Sequence, residues 1–171
     1  MDARYPDSCD RVLLDAAALS ARVAELGAEI ARDYRGKDLR LVTVLKGGLY
    51  FLADLSRRID LPLSMDFMAV SPYAAGMGGA VRVTKDLTDD INGASVLLVE
   101  DVVDTGLTVN YVLSLLRAHN PGQLDVCALL DKPARRIAAS VDSAPTPWSG
   151  VYTVLSARGA CGATRAQTSL R

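Results

Sequence analysis

Residues 96–109, VLLVEDVVDTGLTV, constrain the fold more than any other stretch of the chain. The run opens as an uninterrupted apolar strand, the pattern of a strand buried in a sheet. Glu100, Asp101 and Asp104 then break the run, and Thr105-Gly106 turns the chain straight into a helix. A buried strand ending in a polar turn at a helix start is where open α/β sheets bind phosphorylated ligands. The carboxylates ask for something more than a phosphate, namely hydroxyls or a metal.

The rest of the chain alternates between the two periods. Leu19, Val23, Leu26 and Ile30 form a helical stripe over residues 16–34, closed by Gly36. Residues 41–45 and 65–70 read as strands, residues 46–48 as a turn and residues 49–59 as a helix. Residues 80–84 alternate like an exposed strand. A helix over 107–118 stops at Asn120-Pro121-Gly122, and a strand over 124–130 ends at Asp131-Lys132-Pro133. Strands alternating with helices predict an α/β fold, a central mainly parallel sheet flanked by helices. Residues 71–86 read as a flexible flap standing off that core.

At 171 residues, half of them hydrophobic, the chain is long enough for one well-buried domain. A net charge of −1 provides no basic field, so no nucleic-acid partner is expected. No apolar run approaches a membrane span and no apolar signal core opens the chain, so the expected location is cytoplasmic, without membrane association. Cys9, Cys127 and Cys161 have no metal-site spacing, and Cys127 reads as a buried free thiol. After Asp142 the character changes: residues 143–171 contain no acid. The expected division is therefore a domain over 1–142 and a divergent C-terminal segment over 143–171. Within that segment only residues 151–155 read as a strand, and residues 156–171 read as loop or disordered tail.

The residue types suggest specific chemistry. Backbone N–H groups and the hydroxyls of Thr105 and Thr108 can cradle a phosphate, with Gly106 allowing close approach. Glu100 and Asp101 can accept hydrogen bonds from vicinal sugar hydroxyls, directly or through the waters of a divalent metal. Asp104, at the mouth of the turn, is placed for proton transfer. An acid-capped strand-to-helix turn is the plainer alternative, but three acids and two threonines in nine residues weigh against it. Lys46-Gly47-Gly48 offers a second anion loop, and on spacing alone a simple connection explains it equally well.

These motifs resemble the type I phosphoribosyltransferases, above all the 6-oxopurine, or hypoxanthine-guanine, branch. The resemblance covers roughly residues 10–137 and matches four separated motifs in order. It implies transfer of ribose 5-phosphate from phosphoribosyl pyrophosphate to hypoxanthine or guanine, giving IMP or GMP and pyrophosphate. It also implies Mg2+ as cofactor and a homo-oligomer, a dimer or tetramer. By the same resemblance Thr105, Gly106, Leu107 and Thr108 hold the 5′-phosphate, while Glu100 and Asp101 hold ribose hydroxyls and metal. Asp104 serves as general base or acceptor toward purine N7, and Lys132 donates to the purine O6. Lys46, Gly47 and Gly48 receive the pyrophosphate, often through a cis peptide before the lysine. Ser71 and Tyr73 match the flap's Ser-Tyr pair, with Pro72 as an insertion. Arg82 and Lys85, in the same flap, read as solvated charges.

The resemblance breaks after Asp142. The aromatic that stacks on the purine is replaced by residues 143–146, and no second metal carboxylate follows. Base–aromatic stacking contributes about 1–3 kcal/mol, so weak purine binding is expected of this chain. The rival reading is a catalytically weak or inactive phosphoribosyl-pyrophosphate-binding sensor. A third is a related enzyme taking xanthine or a pyrimidine, the pyrimidine option being disfavoured by Lys132.

Overall fold

A computed structural model describes residues 15–72, 81–132 and 151–156 of the chain. Helix α1 (Ala16–Asp33) starts where the Asp15 carboxylate accepts the Ala18 N–H at 2.7 Å. It ends at Tyr34, just before Gly36 takes a left-handed φ of 77°. Six strands follow: β1 (Leu39–Leu45), β2 (Leu63–Pro72), β3 (Val81–Lys85), β4 (Ser95–Val103), β5 (Gln123–Asp131) and β6 (Val151–Ser156). Helix α2 (Leu49–Ser56) links β1 to β2, and α3 (Leu107–Ala118) links β4 to β5. The expected helix over 49–59 is thus shorter. Arg58 and Ile59 leave it in a turn held by bonds to Leu55 and Ser56 carbonyls, and Pro62 follows.

The sheet order is β3-β2-β1-β4-β5-β6, and every pairing is parallel except β2 with β3. The mainly parallel α/β sheet expected from the sequence is what forms. One face packs Leu41, Leu97, Val99 and Cys127 against Leu26, Ile30, Phe51 and Leu55 of α1 and α2. The other packs Val42, Val96, Leu98 and Val126 against Val109, Val112, Leu113 and Leu116 of α3. Burying each large apolar side chain stabilises the fold by about 1.5–3 kcal/mol, which is why β4 is apolar on both faces. Cys127 is a buried free thiol, as read from its apolar run, and burial pushes its pKa up.

The two edges differ. Strand β3 alternates between exposed and half-buried residues, like an edge with one wet face. Strand β6 comes from the acid-free segment and pairs with β5 from Val126↔Val151 to Asp131↔Ser156. Ser156, expected to open the tail over 156–171, instead ends β6, while Cys9, Tyr73, Cys161 and residues 157–171 lie outside the described residues.

Lys85 is not the solvated charge it resembles in sequence. Its Nζ donates to Phe67 O at 2.6 Å and lies 3.4 Å from Asp66 Oδ1. Asp66 also accepts the N–H groups of Phe67, Thr88 and Asp89 at 2.7, 2.6 and 3.1 Å. Burial alone would raise the Asp66 pKa, but those three N–H groups and Lys85 together hold it below the usual range.

Connectivity fixes where a ligand can sit. From β1 the chain crosses through α2 to β2 on one side, and from β4 through α3 to β5 on the other. Strands β1 and β4 are parallel neighbours, in register from Leu39↔Ser95 to Thr43↔Val99. The crossovers diverge between them, leaving a crevice beyond their carboxyl ends, the topological switch point of an open α/β sheet.

Candidate active site

Both candidate anion loops leave from that crevice. Lys46, Gly47 and Gly48 follow β1, with Leu45–Lys46 in the cis form. A Cβ on Gly47 would run into the Asp101 carboxylate. A Cβ on Gly48 would run into Thr43 Oγ1 and come within 3.1 Å of Val99 O. The loop therefore rests directly on β1 and β4, and only glycines allow that approach.

Glu100 and Asp101 lie within β4 rather than in the turn after it. Successive strand side chains leave opposite faces, so the two carboxylates address the crevice from different sides of the sheet. Asp101 is half-buried beside Gly47, and its Oδ1 accepts the Val102 N–H at 2.7 Å. Glu100 is buried, and its Oε1 has no hydrogen-bond partner among the described residues. Burial first, and then the Asp101 charge, push its pKa up to about 8, against a smaller opposing effect of the Val44 N–H.

Asp104 is half-buried at the start of the turn, one residue beyond β4. Gly106 caps α3 with φ 81° and, having no side chain, offers no side-chain cap to the helix's first-turn amides. That turn carries no acid, and the Thr105 hydroxyl lies 3.4 Å from Leu107 N. A helix start left open in this way presents N–H groups and a positive dipole end to an anion. Leu107 and Thr108 are exposed at its rim.

Lys132 follows β5 with its N–H donating to Val103 O at 2.9 Å, so its exposed side chain stands beside the end of β4. Ser71 lies near the carboxyl end of β2, paired with Arg82 of β3. Apart from Tyr73, every site residue expected from the sequence is described. The loops of Lys46–Gly48 and Asp104–Thr108, with Glu100, Asp101 and Lys132, gather around the ends of β1, β4 and β5. Ser71 stands one strand further out. One residue was missed from the sequence: Thr43, fully buried beneath Gly48. Its only signal was a hydroxyl residue inside the apolar run LVTVL, immediately before the glycine loop.

No group of three or more His, Cys, Asp or Glu side chains among the described residues forms a closed metal site. Paired carboxylates suit Mg2+ all the same, because it favours oxygen ligands, keeps several waters and takes substrate phosphates as ligands.

Comparison with known proteins gives the family. The phosphoribosyl transferase domain model matches residues 12–146. The chain belongs to the phosphoribosyltransferase family. Within it, the chain is 49% identical over 148 residues to the hypoxanthine-guanine phosphoribosyltransferase of Mycobacterium avium, covering 82% of this chain and 72% of that one. A solved hypoxanthine phosphoribosyltransferase of Trypanosoma cruzi, in complex with the product IMP, superposes with a TM-score of 0.77 at 34% identity. It covers 90% of this chain and 83% of that one. A second T. cruzi structure, from work on how the C-terminal region affects oligomeric state and activity, has a TM-score of 0.76 at 33% identity, covering 90% and 80%.

Proposed function

We propose that this protein salvages purines by transferring ribose 5-phosphate from phosphoribosyl pyrophosphate to N9 of hypoxanthine or guanine, releasing pyrophosphate. The observation that carries this reading is the meeting, at one switch point, of an uncapped glycine-turn helix start, a carboxylate pair and a second glycine loop. The names of the relatives support the same reaction, and nothing in the site favours a donor sensor without catalysis.

Each group has a task. The amides of Gly106, Leu107 and Thr108, with the Thr105 and Thr108 hydroxyls, hold the 5′-phosphate at the α3 start. Glu100 and Asp101 hold the ribose hydroxyls and the waters of Mg2+. When bound, that ion neutralises the pyrophosphate leaving group. Lys46, Gly47 and Gly48 receive the pyrophosphate. Asp104 accepts a proton or hydrogen bond at purine N7, and Lys132 donates to O6, so a 6-amino base would face an unmatched donor. Ser71 and Tyr73 belong to the flap that excludes water from the oxocarbenium-like transition state.

The protein acts in the cytoplasm as a homo-oligomer, and the divergent sequence of residues 143–171, without the family's stacking aromatic and second metal carboxylate, weakens base binding. Incubating the full chain with Mg2+, phosphoribosyl pyrophosphate and each of hypoxanthine, guanine, xanthine, adenine and uracil tests the reading. IMP and GMP should form, and nucleotides of adenine and uracil should not. Donor binding with no product from any base would replace the enzyme by a sensor.

A further inference from the structure

Beneath the glycine loop, each missing side chain is replaced by a polar group of the sheet. Asp101 of β4 stands where a Gly47 side chain would be, and Thr43 of β1 stands where a Gly48 side chain would be. Asp101 already has a task at the ribose. Thr43 has none. It is fully buried, and its hydroxyl oxygen has no hydrogen-bond partner among the described residues.

A hydroxyl sealed in a core without a partner is destabilising, and a valine of the same shape would be neutral or better. Every other β1 side chain from Leu39 to Leu45, apart from Arg40, is aliphatic. The position is also central: Thr43 pairs with Val99, one residue before Glu100. Its neighbour across the loop, Gly48, starts α2 with no side-chain cap.

We propose that Thr43 is a positioning residue for the pyrophosphate subsite, its hydroxyl bonding the Lys46–Gly48 loop backbone when that loop closes on the diphosphate. The inference deepens the proposed function and rests on it. The loop leans on the hydroxyl without bonding it. With a diphosphate bound, the loop amides turn toward the anion and a loop carbonyl is freed to accept from Thr43. The hydroxyl never touches the substrate, so its influence passes wholly through the loop. It should therefore affect the ligands that carry a diphosphate and leave the nucleotide product alone.

Calorimetric titration of the full-length protein with Mg2+-pyrophosphate, with phosphoribosyl pyrophosphate and with IMP separates the possibilities. Thr43→Val should weaken pyrophosphate and the donor about tenfold, the effect of one lost hydrogen bond of roughly 1.4 kcal/mol, and leave IMP unchanged. The same variant should melt no lower than the parent without ligand, and Thr43→Ser should restore diphosphate affinity. Unchanged pyrophosphate affinity in Thr43→Val overturns the proposal. Equal weakening of all three ligands, or a serine variant as poor as the valine one, makes the residue merely structural and also overturns it. If the parent protein binds neither pyrophosphate nor IMP, the proposed function itself fails and the role of Thr43 falls with it.

Discussion

The two ends of the parallel sheet treat buried polar groups in opposite ways. At the amino-terminal end of the strands, Asp125 is almost wholly buried and doubly engaged through its Oδ2. It accepts from Tyr34 Oη and from Gln123 Nε2, both at 2.5 Å. Lys37 reaches Gln123 at 2.8 Å and stands 5.0 Å from the Tyr34 ring centre. A hollow of about 590 Å3 lies nearby, lined by Lys37, Asp38, Arg40, Ser64 and Asp90 among others. Its cations are already committed, since Arg40 binds Asp38 and the Asp90 carbonyl. At the carboxyl end, Thr43 and Glu100 are buried with oxygens that have no partner among the described residues, and the α3 N-cap residue supplies no side-chain cap. One end closes its polar groups on the fold. The other keeps buried polar atoms that the described residues do not satisfy.

Breaking each end should therefore have different signatures. The largest effect is expected at the carboxyl end. Asp104→Asn should lower kcat by about 100- to 10,000-fold, the usual worth of general acid–base catalysis, with a smaller change in donor affinity. Steady-state kinetics with separate titration of donor binding checks this, and equal losses in both would remove Asp104 from the chemistry.

Glu100 comes next and concerns pH. Its carboxyl is raised from 4.5 unfolded to about 8 folded. The unfolded chain thus loses this proton at lower pH than the folded one. The stability due to the group is complete below pH 4.5 and is lost as the pH rises to about 8, a change on the order of 3–5 kcal/mol. Glu100→Gln should flatten that slope in ligand-free, chelator-treated protein, as followed by urea unfolding at several pH values. An unaltered slope would show that Glu100 is ionised in the free protein.

The smallest effect belongs to the closed end. Asp125→Ala leaves the buried Tyr34 hydroxyl without this acceptor and should cost about 1–3 kcal/mol of stability. Turnover at a temperature where the variant stays folded should be unchanged. A loss of kcat comparable to that of Asp104→Asn would erase the contrast between the two ends.

The difference between the ends was half legible in the sequence. Strands β1, β4 and β5 could be read because double burial favours mostly apolar runs, and the adjacent carboxylates of β4 stand out against that background. The divergence of α2 and α3 could not be read locally, because it depends on which strands become neighbours. Thr43 escaped for the same reason: its importance comes from Gly48 folding back over it, a contact no periodicity encodes. Asp66 and Lys85 were equally opaque, since the amides of Thr88 and Asp89 that engage Asp66 approach from a different connection. The helix over 49–59 ran too long because its apolar periodicity continues into the turn, where Ile59 remains buried.

The pairing of β1 with β4 also governs when the protein can work during its own assembly. These neighbours in space are separated in sequence by α2, β2 and β3, so a chain emerging in order holds the Lys46–Gly48 loop long before it holds Asp104. No locally folded fragment contains both halves of the crevice. A ligand that bridges the two halves can therefore favour only chains whose central strands have already met, making donor binding a selective brace for the completed sheet.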